Sequence, residues 1–380
     1  MMTRVQASPS PPFTAEHEAF RAELRGWLDA ELRPHVDEWE RAEWFDPIAY
    51  RKLAGKGWLG LTYPVEYGGA GRDAIYGAVF SEELARTGSG GLAAGIGAHI
   101  GIALPPILRF GTEAQKRRWI VPGLRAEKIA ALAITEPGAG SDVASIRTRA
   151  ERVDGGWVVN GEKTFITNGV RADLYVTAVR TTPEGGHHGT SFLVVERGEG
   201  VSASALHKLG WHASDTATVA FQDVFVPEDR LLGEENRGFH LIMANFQGER
   251  LGMALVALGE MRETFDRTLA RLLDREAVTQ AQRHVMAELA LSIETVAAIT
   301  YDTLRRMAAG IESVREVSMA KLLSQRANVD LQDACVRLLG VEGVLAENRY
   351  ERALRDARLG PIGGGTDEIM KEILGRSLGL

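Results

Sequence analysis

The sequence predicts an α+β fold in which a β unit is inserted between two helical ones. Three observations carry this expectation. Apolar residues recur at spacings of three and four up to about residue 124 and again from about residue 236. Between about 129 and 227 the pattern changes to short β-branched and aromatic runs. The helical stretches also flank the strands instead of alternating with them. The divisions expected are a flexible tail over 1–13, an N-terminal helical domain over 14–128, a middle β domain over 129–232 and a C-terminal helical bundle over 233–380. A chain of 380 residues is long enough for several such units.

The first helix is expected from Phe20, Leu24, Trp27 and Leu28, with Pro34 limiting it. The glycine-rich run 64–71 reads as an architectural loop ahead of a helix bearing Phe80 and Leu84, and Glu113-Ala114-Gln115-Lys116 opens a further helix. In the middle region, Val153-Asp154-Gly155-Gly156-Trp157 sets an Asp-Gly turn between β-formers, a hairpin signal. Residues 192–195 and 219–221 continue the strand character. Towards the end, Met286, Leu289, Ile293 and Val296 form one apolar stripe, and Leu323, Ala327, Leu331, Ala334 and Leu338 a second. Both suit a helix bundle.

Composition narrows the function classes. Hydrophobic residues at 45% and charged residues at 25% are ordinary for a soluble globular protein, and a net charge of −7 gives no nucleic-acid footprint. The single cysteine, Cys335, excludes an internal disulfide and a cysteine zinc cluster and suits a reducing, cytoplasmic setting; it reads as a packed helix residue. No apolar run approaches the roughly 18 residues of a membrane span, and residues 1–12 lack the apolar centre of a signal peptide.

The stretch Leu132-Ala133-Ile134-Thr135-Glu136-Pro137-Gly138-Ala139-Gly140-Ser141-Asp142 concentrates chemistry behind an apolar run. Gly138 and Gly140 let backbone N–H groups approach a ligand closely, and Ser141 adds a hydroxyl donor, a combination suited to a phosphate or pyrophosphate. The alternative is a Gly/Pro turn that merely ends a strand. No nucleotide P-loop forms at 156–164, where Glu162 takes the place of the required lysine, and no G-x-G-x-x-G fingerprint supports a nicotinamide site.

Ala133-Ile134-Thr135-Glu136, then Ala139-Gly140-Ser141-Asp142, then Ser145, resembles the first signature of the acyl-CoA dehydrogenase family without a mismatch. The resemblance runs from about Ala15 to Arg376. It implies an N-terminal helical domain, a β-barrel-like middle domain, a C-terminal four-helix bundle, bound FAD and a homotetramer. It places Leu132, Ile134, Thr135, Gly140 and Ser141 along the flavin, with Ser141 also near the acyl-CoA thioester. Residues 160–169 resemble the family's N-G-x-K-x-x-I-T-N-G, in which an aromatic ring covers the flavin and a Thr contacts it. Phe165 stands where that ring is usually Trp, and Thr167 is the Thr.

Dehydrogenating a thioester between Cα and Cβ requires a base for the α-proton, donors for the thioester oxygen and an acceptor for the β-hydride. Side chains cannot accept hydride; a flavin can. Most family members carry the base in I-Y-E-G-T near the C-terminus. Here Ile362-Gly363-Gly364-Gly365-Thr366 sets Gly364 at that place, while Glu249-Arg250 stands on an earlier helix. The isovaleryl-CoA and long-chain branches carry their base on that helix, next to an Arg, with a small residue at the later position. The resemblance therefore assigns Glu249 as base, the Gly364 N–H as thioester donor and Arg250 as its electrostatic neighbour, with Arg250, Ser141 and Gly363 beside the substrate. Glycines at 363 and 364 favour a branched or long acyl group.

Thr366 and Glu368 match the family's G-T-x-E at the ADP part of FAD. Arg275, in a shortened R-x-x-F-G loop, and Arg337 and Gly340, in a second signature altered at Val341, correspond to residues that complete the FAD site of an adjacent subunit. The segment Lys208-Leu209-Gly210-Trp211 is left as structural. The activity implied is conversion of an acyl-CoA to the trans-2-enoyl-CoA, with electrons passing to an electron-transfer flavoprotein. Two alternatives keep the fold: a flavin oxidase or monooxygenase, and a non-catalytic acyl-CoA-binding protein.

Overall fold

The computed structural model describes residues 12–183 and 186–380, so most of the expected tail lies outside the described residues. Thr14 opens the first helix with a capping box, its hydroxyl accepting from His17 N while the His17 ring meets the Thr14 N–H. The N-terminal helices are α1 (Ala15–Glu31), α2 (Val36–Arg41), α3 (Ile48–Gly55), α4 (Ala74–Ala85), α5 (Gly90–Gly97), α6 (Leu104–Phe110) and α7 (Glu113–Leu124). A π-helical segment, Ala98–Ala103, joins α5 to α6. Thr112 and Gln115 form a second capping box where the sequence marked a helix start. The 64–71 run is architectural: a Cβ on Gly69 would collide with the Tyr63 carbonyl.

The middle unit is a mixed sheet of β1 (Ala130–Ala133), β2 (Arg149–Val153), β3 (Gly156–Ile166), β4 (Leu174–Arg180), β5 (Thr190–Glu196), β6 (Val201–Ala205), β7 (Ala217–Pro227) and β8 (Leu231–Leu232). Its order is β6-β7-β3-β2-β4-β5-β8, with β1 parallel to β4. The Asp154-Gly155 hairpin is present: Val153 pairs with Gly156, and Gly155 takes φ +78° to make the turn. One face of the sheet packs Trp157, Tyr175, Leu193 and Phe221 together. The other, through Leu174, Val176, Phe192 and Val194, packs on Leu104, Trp119 and Ile242 from the helices.

The C-terminal part comprises α8 (Gly238–Leu273), α9 (Gln280–Ala308), α10 (Val314–Leu339), α11 (Val341–Val344), α12 (Tyr350–Ala357) and α13 (Asp367–Ser377). The α9 stripe is buried as expected. The α10 stripe is not the expected one. Ala327 and Leu331 are buried, but the line continues through Cys335 and Leu339 rather than Ala334 and Leu338, and Leu323 is 36% exposed. Cys335 is a packed residue whose thiol burial pushes up to about 11.

A second expectation is corrected. The α5-to-α6 segment over 90–110 is one helix long and apolar enough, by length and composition, to cross a membrane. It is 61% buried inside the protein, where it packs on β1 and α8 as a core helix.

Candidate active site

Helix α8 is the long element that bears Glu249 and Arg250. Gly238 starts it in contact with the Thr190 and Ser191 backbone, where a Cβ would collide, and Asn245 Nδ2 donates to Ile102 O at 3.1 Å in the π-helical segment. These two ties fix the helix against the sheet and the N-terminal helices. Glu249 follows one turn later and Met253 one turn after that, so both project from one face of the helix.

Glu249 is half-buried as a residue, but its Oε2 is shielded from solvent and has no hydrogen-bond partner among the described residues. Burial pushes its carboxyl up to about 7, against the opposing pull of Arg250 and Lys321. A carboxyl left unsatisfied and shifted towards neutrality is the arrangement expected of a general base or acid.

The turn between α12 and α13 meets this face. Gly364 and Gly365 take φ +63° and +95°, a backbone that glycine adopts without strain. Arg250, itself buried, donates from Nε to Gly364 O at 3.1 Å, and Lys321 Nζ donates to Gly365 O at 2.6 Å. Among the described residues, none accepts a hydrogen bond from the Gly364 N–H. A Cβ built on Gly364 would lie 3.6 Å from Glu249 Oε1 and would run into Met253 Sδ. The carboxylate from α8 therefore reaches the point from which a side chain at 364 would start. Gly363 is half-buried and also faces Met253.

The 132–145 segment is anchored by an ion pair. Lys163, fully buried on β3, bonds Glu136 Oε1 at 2.8 Å and Ile134 O at 3.0 Å. Glu136 in turn accepts from Arg147 N at 2.6 Å and Thr148 N at 2.9 Å. The Lys163 ammonium and these N–H groups outweigh burial and hold the Glu136 carboxyl below its usual range, while burial brings Lys163 down to about 8. Glu136 and Lys163 belong to two separate motifs, and their pairing follows from the meeting of the two segments.

On that frame Thr135 is half-buried, its carbonyl accepting from Thr164 N at 2.8 Å. Gly140 lies beside it, Gly138 has open space above it, and Ser141 is exposed. Ile134 buries its side chain in the core, and Leu132 is half-buried. Phe165 is 70% exposed at φ +58°, beside an irregularity in the β3–β7 register. A bulky residue in left-handed backbone is uncommon, and here its ring also stands open to solvent. Thr167 is half-buried two residues on.

Thr366 caps α13, its hydroxyl accepting from Ile369 N at 3.3 Å, and Glu368 is exposed in the first turn of that helix. The other three residues lie elsewhere. Arg275 follows the far end of α8, whose last residue, Leu273, lies roughly 36 Å along the helix axis from Glu249 at 1.5 Å per residue. It pairs with Glu342 at 3.0 Å, beside Gly340, which turns the chain from α10 into α11 at φ +63°. Arg337 is largely exposed and pairs with Asp333 at 2.5 Å. Arg275 and the Gly340 turn are thus brought together, away from the Glu249 end of their own chain. The Lys208 segment docks on α12, Trp211 N donating to Asp356 Oδ1 at 2.6 Å.

Comparison with known proteins gives matches along nearly the whole chain. "Acyl-CoA dehydrogenase, N-terminal domain" matches residues 14–127, the middle domain of that family 131–224, and its C-terminal domain 236–379. The chain belongs to the acyl-CoA dehydrogenase family. Members are FAD-dependent oxidoreductases. Among its relatives, the mitochondrial long-chain specific acyl-CoA dehydrogenase of Mus musculus is 36% identical over 376 residues, covering 96% of this chain and 87% of that one. The mitochondrial isovaleryl-CoA dehydrogenase of Solanum tuberosum is 32% identical, covering 98% and 92%. The crystal structure of an acyl-CoA dehydrogenase from Geobacillus kaustophilus superposes with a TM-score of 0.95 at 38% identity, covering 98% and 100%.

The residues present fit the family's cofactor. Phe165 offers an exposed aromatic face, Gly138 and Gly140 leave open backbone where a pyrophosphate needs close approach, and Ser141 offers an exposed hydroxyl.

Proposed function

We propose that this acyl-CoA dehydrogenase removes hydrogen from Cα and Cβ of its thioester substrate with Glu249 as base. The observation that carries the assignment is the 3.6 Å between Glu249 Oε1 and the Cβ position of residue 364. Two chain positions, on α8 and on the last turn, converge on one point, and only one of them bears a carboxylate. Bound FAD supplies the hydride acceptor that no side chain offers.

The chain's own residues do the rest. Glu249 takes the α-proton; its carboxyl near 7 matches the proton affinity to neutral pH and so balances availability against strength. The Gly364 N–H donates to the thioester carbonyl oxygen, which gains charge as the proton leaves. Arg250 holds the Gly364 carbonyl and so orients that turn. Thr135, Gly140, Ser141, Phe165 and Thr167 line the flavin, with Leu132 and Ile134 behind them; Ser141, Gly363 and Arg250 lie beside the acyl-CoA. Thr366 and Glu368 meet the ADP part, while Arg275, Arg337 and Gly340 serve the flavin of a neighbouring subunit in a homotetramer. Their distance from Glu249 supports that division. The reading extends to a cytoplasmic enzyme passing its electrons to an electron-transfer flavoprotein.

Anaerobic titration of the purified protein with straight-chain and branched acyl-CoAs, following flavin absorbance, tests this function. Bleaching by at least one of them is expected. An FAD-loaded protein that none of them bleaches contradicts it.

A further inference from the structure

A fully buried lysine lies under the turn that bears the Gly364 donor. Lys321 is 0% exposed on α10, on the same face as the buried Val317 and Ser324. An ammonium there has lost its water and depends on close partners. Its Nζ donates to Gly365 O at 2.6 Å. The charged groups that face it are Glu249 and Arg250 from α8 and Asp367 and Glu368 from the first turn of α13. Asp367 is already engaged by Arg326 at 2.7 Å.

Two cations therefore bracket one turn. Arg250 holds Gly364 O and Lys321 holds Gly365 O, and the two glycines between them have the widest conformational freedom of any residue type. The start of the turn is closed by its own backbone, Gly363 N donating to Leu359 O and Asp367 N to Pro361 O, both at 3.0 Å, which leaves the two cations to hold the Gly364 and Gly365 carbonyls. The Glu249 carboxylate, 3.6 Å from the Gly364 Cβ position, lies within electrostatic reach of the same ammonium, without a direct ion pair between the two.

We propose that Lys321 is a positioning residue acting through two neighbours: by holding Gly365 O it aims the Gly364 N–H, and by facing Glu249 it favours the ionised carboxylate. The inference rests on the assignment of Glu249 as base. Its consequence for pH has a definite sign. The cation draws the Glu249 carboxyl down, against burial, to about 7, and burial brings Lys321 itself down to about 8. Between those values the base is ionised and the lysine still charged. Above about 8 the lysine loses its proton and both effects weaken together.

Lys321→Met and Lys321→Arg in the FAD-loaded protein test this. The carboxyl band of Glu249 in infrared difference spectra, identified by its loss in Glu249→Gln, is titrated in the resting protein. Lys321→Met is expected to raise its midpoint by about one pH unit, and Lys321→Arg to leave it in place. In the pH profile of flavin bleaching, the acid limb of Lys321→Met should move up by the same amount. Lys321→Arg should lose the alkaline limb near 8, since a guanidinium stays charged. An unmoved midpoint in folded Lys321→Met overturns the proposal. If Lys321→Met does not fold, persistence of the alkaline limb in Lys321→Arg overturns it equally. The infrared titration needs no turnover, so a wild-type protein that no acyl-CoA bleaches would defeat the catalytic reading and leave this coupling to be decided separately.

Discussion

Replacing Glu249 by Gln preserves the shape of the side chain and removes its charge, so its effect on stability should depend on pH. The carboxyl moves from 4.5 to about 7 on folding, with burial as the largest cause. For a carboxyl raised in this way, the folded protein holds a proton that the unfolded chain releases. That contribution is fully present below 4.5 and is lost as pH rises through about 7. At 1.36 kcal/mol per pH unit the span corresponds to roughly 3 kcal/mol, an upper figure because the residue is half-buried. Relative to wild type, Glu249→Gln should therefore gain up to roughly 3 kcal/mol more at about pH 8 than at about pH 4.5. The glutamine amide is buried at both values, so any cost of leaving it unpaired cancels in the comparison. Urea unfolding of both proteins at equal concentration and the two pH values gives the number. An equal difference at both would refute the claim that Glu249 is held protonated by its surroundings.

Three further outcomes follow from the same contacts. Gly364→Ala adds a Cβ at φ +63° that runs into Met253 Sδ; it should cost about 1–3 kcal/mol in chemical unfolding and raise KM for acyl-CoA, and a neutral variant would mean the turn is not held as described. Lys163→Met leaves Glu136 buried without its cation; a loss of about 3–5 kcal/mol in thermal or urea unfolding is expected, and a loss below about 1 would show that the pair does not anchor the 132–145 segment. Phe165→Gly relieves the left-handed backbone at φ +58° and removes an exposed ring. The apoprotein should gain about 1 kcal/mol while FAD binds about three- to tenfold more weakly by fluorescence titration, and unchanged FAD affinity would remove the ring from the cofactor's surface.

Elements set by local chemistry were legible before any coordinates. The Asp154-Gly155 turn needs only one residue at positive φ, and Thr112 with Gln115 satisfies the first N–H groups of α7 from within four residues. The α9 stripe could be read because its helix packs along one side. Helix α10 could not, because it is contacted by α8, α9, α12 and α13, so its buried surface is wider than one stripe and includes Cys335 and Lys321. The apolar 90–110 helix was missed because five glycines and a histidine dilute its hydrophobic run. At the site, Glu249 and Gly364 were found as a pair of departures from a motif. Met253, Lys321 and the Lys163–Glu136 pair emerge only when distant segments meet, although a lysine on the same helix face as Val317 and Ser324 was a signal available in the sequence.

The most direct test of the account is the single-turnover rate of flavin bleaching when Glu249→Gln is mixed anaerobically with an acyl-CoA that bleaches the wild type. If the carboxylate on α8 takes the α-proton, the variant should bind the thioester with similar affinity and bleach about 10²- to 10⁴-fold more slowly. Bleaching within a few-fold of the wild-type rate, at saturating acyl-CoA and with full FAD content, would contradict it.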